Sequence, residues 1–257
     1  MLTEERRQKI LELLHENQRI VAKDLADLFH ISIDSIRRDL TIMEEQGLLK
    51  KTYGGAVTPA KVRQLPVEES LRYGNGAPHQ NAISRLAVSY IKENDTVFIG
   101  GAGIQFGMLK YLPRDMSFTV VTNSLKIAET IRHWENIESY MIGGKLRPSS
   151  GGSIIDPLSL EQIKRFSLDI GFLTGGGVSA KGISTATHEG ASFTRAVAEV
   201  SRVRIGLAPH EKVGVNMFAR SIPVQELDAV ITDEQAYRGA IQEIEKKGVN
   251  VIIAAIK

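Results

Sequence analysis

A nine-residue stretch near the N-terminus carries hydroxyl, carboxylate and guanidinium groups at the spacing of one helix face. It reads Ser32-Ile33-Asp34-Ser35-Ile36-Arg37-Arg38-Asp39-Leu40. On a helical wheel with about 100° per residue, an apolar stripe forms on one side. The polar members point away from that stripe: Asp34, Ser35, Arg38 and Thr41, with Arg37 on the flank. Arginine forks onto guanine edges or phosphates, so this face predicts contacts with the major groove of double-stranded DNA.

A short basic segment follows this stretch. Residues 46–65 contain four cationic residues and no acidic residue: Lys50, Lys51, Lys61 and Arg63. The turn Tyr53-Gly54-Gly55 divides the segment, and we expect Leu48–Thr52 and Ala56-Val57 to pair as a two-stranded wing. Because a few lysines set the affinity for a phosphate backbone, we expect Lys50, Lys51 and the turn to bind DNA. A solvated basic loop is the alternative interpretation.

Three short helices must position these groups. Thr3, followed by two glutamates, predicts the start of the first helix, because a hydroxyl caps free amides and acids favour that end. A second helix is expected over about Ala22–Phe29. Ser32 is a typical N-cap for the third helix, and Gly47 is expected to end it in a left-handed conformation. This order indicates a helix-turn-helix with the third helix outermost, and an unrelated three-helix bundle is the alternative.

The middle of the chain changes character. Residues 59–78 show little periodicity and are rich in proline and glycine. We predict a linker there, with one short helix near Val67–Tyr73. The predicted organisation is therefore a DNA-binding domain over residues 1–58, the linker, and a larger domain over residues 79–257.

Short apolar runs alternate with helices through this larger domain. A helix over about His79–Lys92 precedes the first run. The runs are Thr96–Ile99, Phe118–Thr122, Ser139–Ile142, Ile170–Leu173, Val203–Leu207, Ala229–Thr232 and Asn250–Ala254. This alternation predicts an α/β fold with a mostly parallel sheet. Glycine or a polar residue follows nearly every run, and ligands of open α/β sheets bind at those carboxyl ends.

The N-terminal motif resembles the winged helix-turn-helix signature of the DeoR family of bacterial transcription regulators. The matching residues are Ser32–Leu40, Glu44, Gly47 and Tyr53-Gly54-Gly55-Ala56. That family usually has threonine where Ser35 stands, which keeps the hydroxyl. The resemblance implies a cytoplasmic protein that binds a specific operator, usually as a repressor of carbohydrate or related catabolic genes.

The larger domain resembles the DeoR-family sensor domain, which is related in fold to ribose-5-phosphate isomerase and CoA-transferases. The matching residues are Val121–Ser124, Gly143-Gly144 with Arg147, Asp169, Gly182, Lys212 with Gly214, and Ile231–Asp233. The resemblance implies a sugar-phosphate effector and a homo-oligomer. It places the effector at Gly101, Gly103, Ile104, Asn123 and Lys212.

The sequence departs from the family at this expected effector site. The phosphate loop that usually reads D-x-G-T-T is Gly100-Gly101-Ala102-Gly103-Ile104 here, and the usual D-x-S-K-x-G is Pro209–Gly214. Backbone amides of a glycine-rich turn still bind anions. Ile104, however, offers methyl groups where a hydroxyl would bond, and Glu211 would repel a phosphate unless it points away.

Other candidate motifs are weaker. Gly175–Ala180 with Glu199 matches a loose dinucleotide fingerprint, which we interpret as a plain turn from strand to helix. His188-Glu189 begins a zincin-like motif that no second histidine completes. We interpret His210 beside Glu211 as a surface pair. Because the six histidines are scattered along the sequence, we expect no metal site. We also expect no cofactor and no catalytic residues.

Composition bounds the remaining functions. The chain has 257 residues, of which 42% are apolar and 24% charged, so it is globular. It contains no cysteine, which excludes thiol nucleophiles, iron–sulfur clusters and cysteine zinc sites. No apolar run approaches the roughly 18–20 residues that span a bilayer, and we expect neither a membrane partner nor a secretory signal.

The net charge of +2 conceals local asymmetry. Residues 1–61 hold ten cationic and ten acidic residues, while the wing segment is purely basic. A ligand-responsive DNA-binding regulator is the function we predict. An isomerase-like enzyme with a helical appendage, or a regulator whose degenerate sensor binds no sugar phosphate, are the alternatives.

Overall fold

The structure, a computed structural model, describes residues 3–17, 19–46, 48–58, 73–146 and 153–256. Contacts divide the chain into two compact units, Met1–Lys61 with Gln235–Arg238, and Val62–Glu234 with Gly239–Lys257. Each unit has its own hydrophobic core. Within these ranges, no helix combines the length and the apolar character needed to cross a membrane.

The N-terminal unit is a three-helix bundle with a small antiparallel sheet. Its elements are α1 Thr3–Asn17, β1 Arg19–Val21, α2 Ala22–Phe29, α3 Ile33–Glu45, β2 Lys50–Thr52 and β3 Gly55–Val57. The core gathers one apolar stripe from each helix: Ile10, Leu14, Leu25, Ile36, Leu40 and Met43. His30 ends α2 with a φ of 52°, and this left-handed residue turns the chain into α3. The predicted helix-turn-helix is confirmed, and α2 has the predicted bounds.

The wing differs from the prediction in having three strands. The order is β1-β3-β2, so β3 lies in the middle and pairs with a strand from the α1–α2 connection. The sequence at Asn17-Gln18-Arg19 predicts only a break in the helical pattern, not a strand. Ile20 is buried opposite Ala56, and one alternating triplet is too short for periodicity to distinguish a strand from a turn.

The described residues of the second unit form helices and strands that alternate through most of its length. From residue 73 onward the elements are α4 Pro78–Val88, β4 Thr96–Phe98, α5 Gly103–Met108, β5 Phe118–Thr122, α6 Leu125–Ile131, β6 Ile137–Met141, α7 Pro157–Ile163, β7 Leu168–Leu173, β8 Gly177–Ser179, β9 Gly182–Thr185, α8 His188–Val200, β10 Ser201–Leu207, β11 Ala219–Ile222, β12 Ala229–Asp233, α9 Arg238–Glu245 and β13 Asn250–Ala254. Seven strands form a parallel sheet in the order β13-β12-β10-β7-β4-β5-β6. The predicted α/β class is confirmed.

Strand starts are the least accurate part of the sequence prediction. β5 and β13 match it to the residue, whereas β6, β7 and β10 each begin two residues earlier than predicted. The missed starts of β7 and β10 carry polar side chains that bond to neighbouring elements. Asp169 on β7, for example, accepts a hydrogen bond from the Thr96 backbone N–H at 2.9 Å.

A second sheet is absent from the sequence prediction. β8, β9 and β11 form an antiparallel sheet of order β11-β9-β8. The glycines 175–177 therefore lead into a strand that pairs with β9, and the next helix begins only at His188. Both the turn from strand to helix and the dinucleotide fingerprint are wrong here, because that fingerprint requires a helix N-terminus directly after the glycines.

Some predictions fall on residues outside the described ranges. These are the left-handed cap at Gly47, the matched Arg147, the wing-segment cations Lys61 and Arg63, and all but the last residue of the short helix near Val67–Tyr73.

Candidate functional site

Ser32 and Ser35 form the N-terminal cap of α3. The Ser35 backbone N–H donates to Ser32 Oγ at 3.2 Å, and the two hydroxyl oxygens lie 2.9 Å apart. Ser32 adopts the extended backbone of an N-cap, which explains why the helix begins at Ile33. Both hydroxyls therefore sit at the exposed, amide-rich end of the helix.

Two arginines and one carboxylate extend from the outer face of α3. Arg37 Nη1 donates to Asp34 Oδ1 at 3.2 Å, and these side chains are 61% and 80% exposed. Arg38 is also exposed, and within the part of the chain that the structure describes it has no hydrogen-bond or ion-pair partner. The Thr41 hydroxyl donates to the Arg37 carbonyl at 2.8 Å. The helical-wheel prediction of a polar outer face thus agrees with the exposure of these side chains.

The wing lysines are anchored to α3. The Lys51 backbone N–H donates to Glu44 Oε1 at 2.9 Å, and its ammonium donates to Thr41 Oγ1 at 2.7 Å. Lys50 Nζ lies 3.7 Å from the same Glu44 oxygen. Both lysines are half-buried, so they fix the wing beside the helix in addition to supplying positive charge.

The turn of the wing divides into an exposed tip and a buried base. Tyr53 is 65% exposed, and the Gly54 carbonyl accepts a hydrogen bond from the Ala22 N–H at 2.7 Å. Gly55 is buried in β3, where a Cβ would lie 1.9 Å from the Ile20 carbonyl oxygen. Glycine at 55 is therefore required for strand pairing, whereas Tyr53 and Gly54 are the exposed members of the predicted DNA-binding turn.

The glycine loop of the expected effector site joins β4 to α5. A Cβ on Gly101 would lie 2.0 Å from Ser153 Oγ, and the Gly101 carbonyl accepts a hydrogen bond from Tyr73 Oη at 2.9 Å. The Gln105 side chain links the loop to β7. Its Oε1 accepts a hydrogen bond from the Ala102 N–H at 3.2 Å, and its Nε2 donates to the Phe172 carbonyl at 2.7 Å. The loop is thus held by side chains from three other segments.

The remaining predicted effector residues do not all converge. Asn123 approaches the glycine loop through the Ser153 segment, since its Nδ2 donates to the Ile154 carbonyl at 2.9 Å. Ile104 is 5% exposed and packs in the hydrophobic core, because α5 turns this side chain inward. Its contact with an effector stays a prediction. Gly103 starts α5, and Lys212 follows β10, two strands from β4, which is about 10 Å across the sheet.

A cluster of imidazoles and carboxylates surrounds the carboxyl end of β12. Asp233 is fully buried, and its Oδ2 accepts a hydrogen bond from the His210 N–H at 2.8 Å. His210 Nδ1 lies 2.9 Å from Asp233 Oδ1 and 3.4 Å from Glu211 Oε2. The His210 side chain is only 9% exposed, so the predicted surface pair with Glu211 is wrong.

His79, in the first turn of α4, completes this cluster. Its ring centroid lies 4.7 Å from that of His210, and its Nε2 lies 3.5 Å from Glu211 Oε2. Burial alone would raise the pKa of Glu211, but the hydrogen bond from His79, a backbone hydrogen bond and the charges of His210 and His79 outweigh it and lower that pKa. Glu211 is thus directed at the histidines, and two of the six histidines predicted to be scattered lie in contact.

Comparison with protein families identifies both units. A DeoR-like helix-turn-helix domain matches residues 6–62, and a DeoR C terminal sensor domain matches residues 77–234. The chain belongs to the DeoR family. It is a transcriptional regulator with a DNA-binding unit followed by a sensor domain, as the sequence motifs predict.

Two relatives match this DeoR-family chain over nearly its whole length. The HTH-type transcriptional repressor GlcR of Bacillus subtilis is 31% identical over 257 residues, covering 98% of this chain and 97% of that protein. The transcriptional repressor AccR of Agrobacterium fabrum is 30% identical over 247 residues, covering 95% of each. A crystal structure of ribose 5 phosphate isomerase A from Neisseria gonorrhoeae aligns with 58% of this chain and 55% of that one, with 14% identity and a TM-score of 0.38.

Sequence reasoning missed one charged residue within the DeoR motif itself. Asp39 is 3% exposed, and it accepts hydrogen bonds from Arg6 Nε at 2.8 Å and from Arg7 Nε at 2.9 Å. On the helical wheel Asp39 falls beside the buried Ile36 and Met43. A buried carboxylate needs a cationic partner. The position of Asp39 within the apolar stripe of α3 could therefore have predicted its burial and its ion pairs.

Proposed function

We propose that this protein binds a specific double-stranded DNA operator through α3 and the wing. The observation that carries the proposal is the exposed face of α3, where Ser35, Arg37 and Arg38 stand beside the basic wing. Among the predicted DNA-binding residues, we assign Arg38 and the capping serines to the major groove. We assign Lys50, Lys51 and Tyr53 to the phosphate backbone.

The regulated genes belong to sugar or related catabolism, and the protein represses them in the cytoplasm. Support for repression comes from the names of both relatives, GlcR and AccR, which are transcriptional repressors. We propose domains over residues 1–58 and 79–257 joined by a linker over residues 59–78, and a homo-oligomer that pairs two DNA-binding units. The protein has no enzymatic role in this proposal, since the sequence lacks the aspartate, threonines and serine of the family's phosphate loops.

Capture of genomic DNA tests the operator proposal. The purified full-length protein is mixed with sheared DNA from its source, and bound fragments are sequenced and footprinted. We expect a small set of promoter fragments that share an inverted or direct repeat. Capture of fragments without any shared sequence at physiological salt would contradict specific binding, because the phosphate contacts alone are independent of sequence.

A small-molecule effector acts on the second unit, at the carboxyl ends of β4 and β5. The glycine loop and Asn123 meet there, as expected for a ligand site in an open α/β sheet. Sugar phosphates are the class that the family resemblance implies, and free sugars are the class that the altered loop favours.

Thermal unfolding of the full-length protein distinguishes these classes. A compound that binds only the folded state raises the melting temperature in proportion to the logarithm of its concentration over Kd. We expect a concentration-dependent rise with one sugar or sugar phosphate, and none with nucleotides. If no sugar and no sugar phosphate raises the melting temperature, the result would support instead a sensor that has lost small-molecule control.

A further inference from the structure

Three separated segments of the second unit bring metal-ligating groups to one point. His79 lies in the first turn of α4, His210 follows β10, and Asp233 is the last residue of β12. β10 and β12 are adjacent parallel strands, with Leu207 opposite Ile231. Their carboxyl ends therefore place His210 and Asp233 side by side, and the start of α4 lies over them.

The distances in this cluster resemble those of a tetrahedral metal site. One ligand atom from each of His79, His210 and Asp233 lies within 4.8 Å of the other two. His210 Nδ1 is 2.9 Å from Asp233 Oδ1, and Glu211 Oε2 is 3.4 Å from His210 Nδ1 and 3.5 Å from His79 Nε2. Bonds of about 2.0–2.1 Å to a tetrahedral zinc ion put neighbouring ligand atoms about 3.3 Å apart. Within the group of His79, His210 and Asp233, the separation between His210 Nδ1 and Asp233 Oδ1 is already close to that value, and the other ligand atoms are near enough to converge on an ion.

We propose that His79, His210 and Asp233 bind one divalent transition-metal ion, with a water molecule as the fourth ligand, and that Zn²⁺ fits this ligand set. Two neutral imidazoles and one carboxylate form a set that zinc takes in proteins. Calcium and magnesium, which prefer oxygen ligands alone, fit it poorly.

The surroundings of the cluster suit a bound cation. Asp233 is fully buried, and its Oδ2 is held by the His210 backbone N–H, which leaves Oδ1 directed at the His210 ring. Such a second contact orients a metal-binding carboxylate. The hydrogen bond between His210 Nδ1 and Asp233 is replaced on binding, since the neutral ring then carries its proton on Nε2 and offers Nδ1 to the ion.

The alternative is a cluster held by hydrogen bonds alone, and titration with Zn²⁺ separates the two. Tag-free, full-length protein is stripped with a chelator and titrated against a competing chromogenic indicator, beside the variants His79→Gln and His210→Gln. His133→Gln, which removes an exposed histidine outside the cluster, is the matched control. No cysteine contributes background binding, because the sequence has none.

We expect one Zn²⁺ per chain in the parent and in the His133 variant. The His79→Gln and His210→Gln variants should each bind Zn²⁺ at least about 10-fold more weakly than the parent. Loss of a residue that only contacts a metal ligand already lowers metal affinity by that factor. Zn²⁺ should also raise the melting temperature of the parent and not that of the His79→Gln protein. His79 is half-buried at the start of α4, so we expect its substitution to be tolerated by the fold. If His210→Gln fails to fold, the His79→Gln variant alone tests the metal site. A parent that binds no Zn²⁺, or binding unchanged in the His79 variant, would overturn the proposal. The proposal does not depend on the function assigned to the DNA-binding unit.

Discussion

Asp39 shows how one residue of a DNA-binding motif serves the fold and not the ligand. It lies next to Arg38 in the sequence, yet it is buried between the side chains of Arg6 and Arg7, whereas Arg38 is exposed. The ion pairs join α1 to α3 across the core of the N-terminal unit. The motif therefore combines groups available to DNA with a group that holds the recognition helix in place.

Replacing Asp39 with alanine should destabilise the N-terminal unit by about 3 kcal/mol, because removal of one partner leaves buried charge without compensation. Hydrogen exchange of peptides from residues 3–58 in increasing urea measures this loss separately from the second unit. Asp34→Ala removes an 80% exposed carboxylate from the same helix and serves as the control. Equal protection in the two variants would contradict the structural role of Asp39.

At the level of single side chains, sequence reasoning succeeded where position on a helix determines exposure. The capping of α3 by Ser32 and the polar face with Arg37 and Arg38 were predictable from spacing. The inward turn of Ile104 and the burial of His210 were not, because both depend on packing between segments distant in the sequence. The contact of His210 with His79 joins residues 131 positions apart, and no local pattern encodes it.

Among the elements, the wing depends on a close approach of two backbones. β3 pairs with both neighbours, and at Gly55 the Ile20 carbonyl occupies the place of a side chain. The same strand fixes Lys51 beside Thr41 through its pairing with β2. The geometry of the predicted DNA-binding surface thus depends on β3, and the sequence pattern did not reveal β1, the second strand that pairs with it.

Gly55→Ala should separate β1 from β3, because its methyl group would lie 1.9 Å from a backbone oxygen that has no side-chain freedom. We expect a loss of roughly 1–3 kcal/mol in stability of the N-terminal unit, the usual cost of overpacking a close contact. Gly54→Ala is the control, since no atom lies within 4 Å of the added methyl group. Protection of β1 amides from hydrogen exchange is the measurement, and a Gly55 variant as protected as the Gly54 variant would contradict this role.

For the whole molecule, the sum of charges is a poor guide to function. A net charge of +2 is weak evidence against binding of nucleic acid, yet Arg37 and Arg38 are exposed on α3, and the half-buried Lys50 and Lys51 contact the same helix. The alternation of strands and helices predicted the parallel sheet correctly, because buried parallel strands form continuous apolar runs. It did not predict the antiparallel sheet of β8, β9 and β11, whose strands are three or four residues long. All three contain serine, and β8 and β9 begin with glycine.

A homo-oligomer with two DNA-binding units predicts a fixed spacing of half-sites. Centres one helical turn apart, about 10–10.5 base pairs, or a multiple of it, present the same face of the duplex. Inserting about half a turn between the half-sites should weaken binding, and inserting a full turn should restore it. Gel-shift titration on three such duplexes measures the effect, and affinity that is indifferent to all insertions would show that a single unit suffices.

The central claim is that α3 reads the operator, and the affinity of Arg38→Ala for operator DNA tests it most directly. The measurement is fluorescence anisotropy at one fixed salt concentration, with Arg165→Ala as a control that removes the same charge from a 71% exposed position in the second unit. The account predicts that the Arg38 variant loses about 1–3 kcal/mol, or roughly 5- to 150-fold in Kd, while the control binds as the parent does. An Arg38 variant that binds operator as tightly as the parent would contradict the assignment of α3 as the recognition helix.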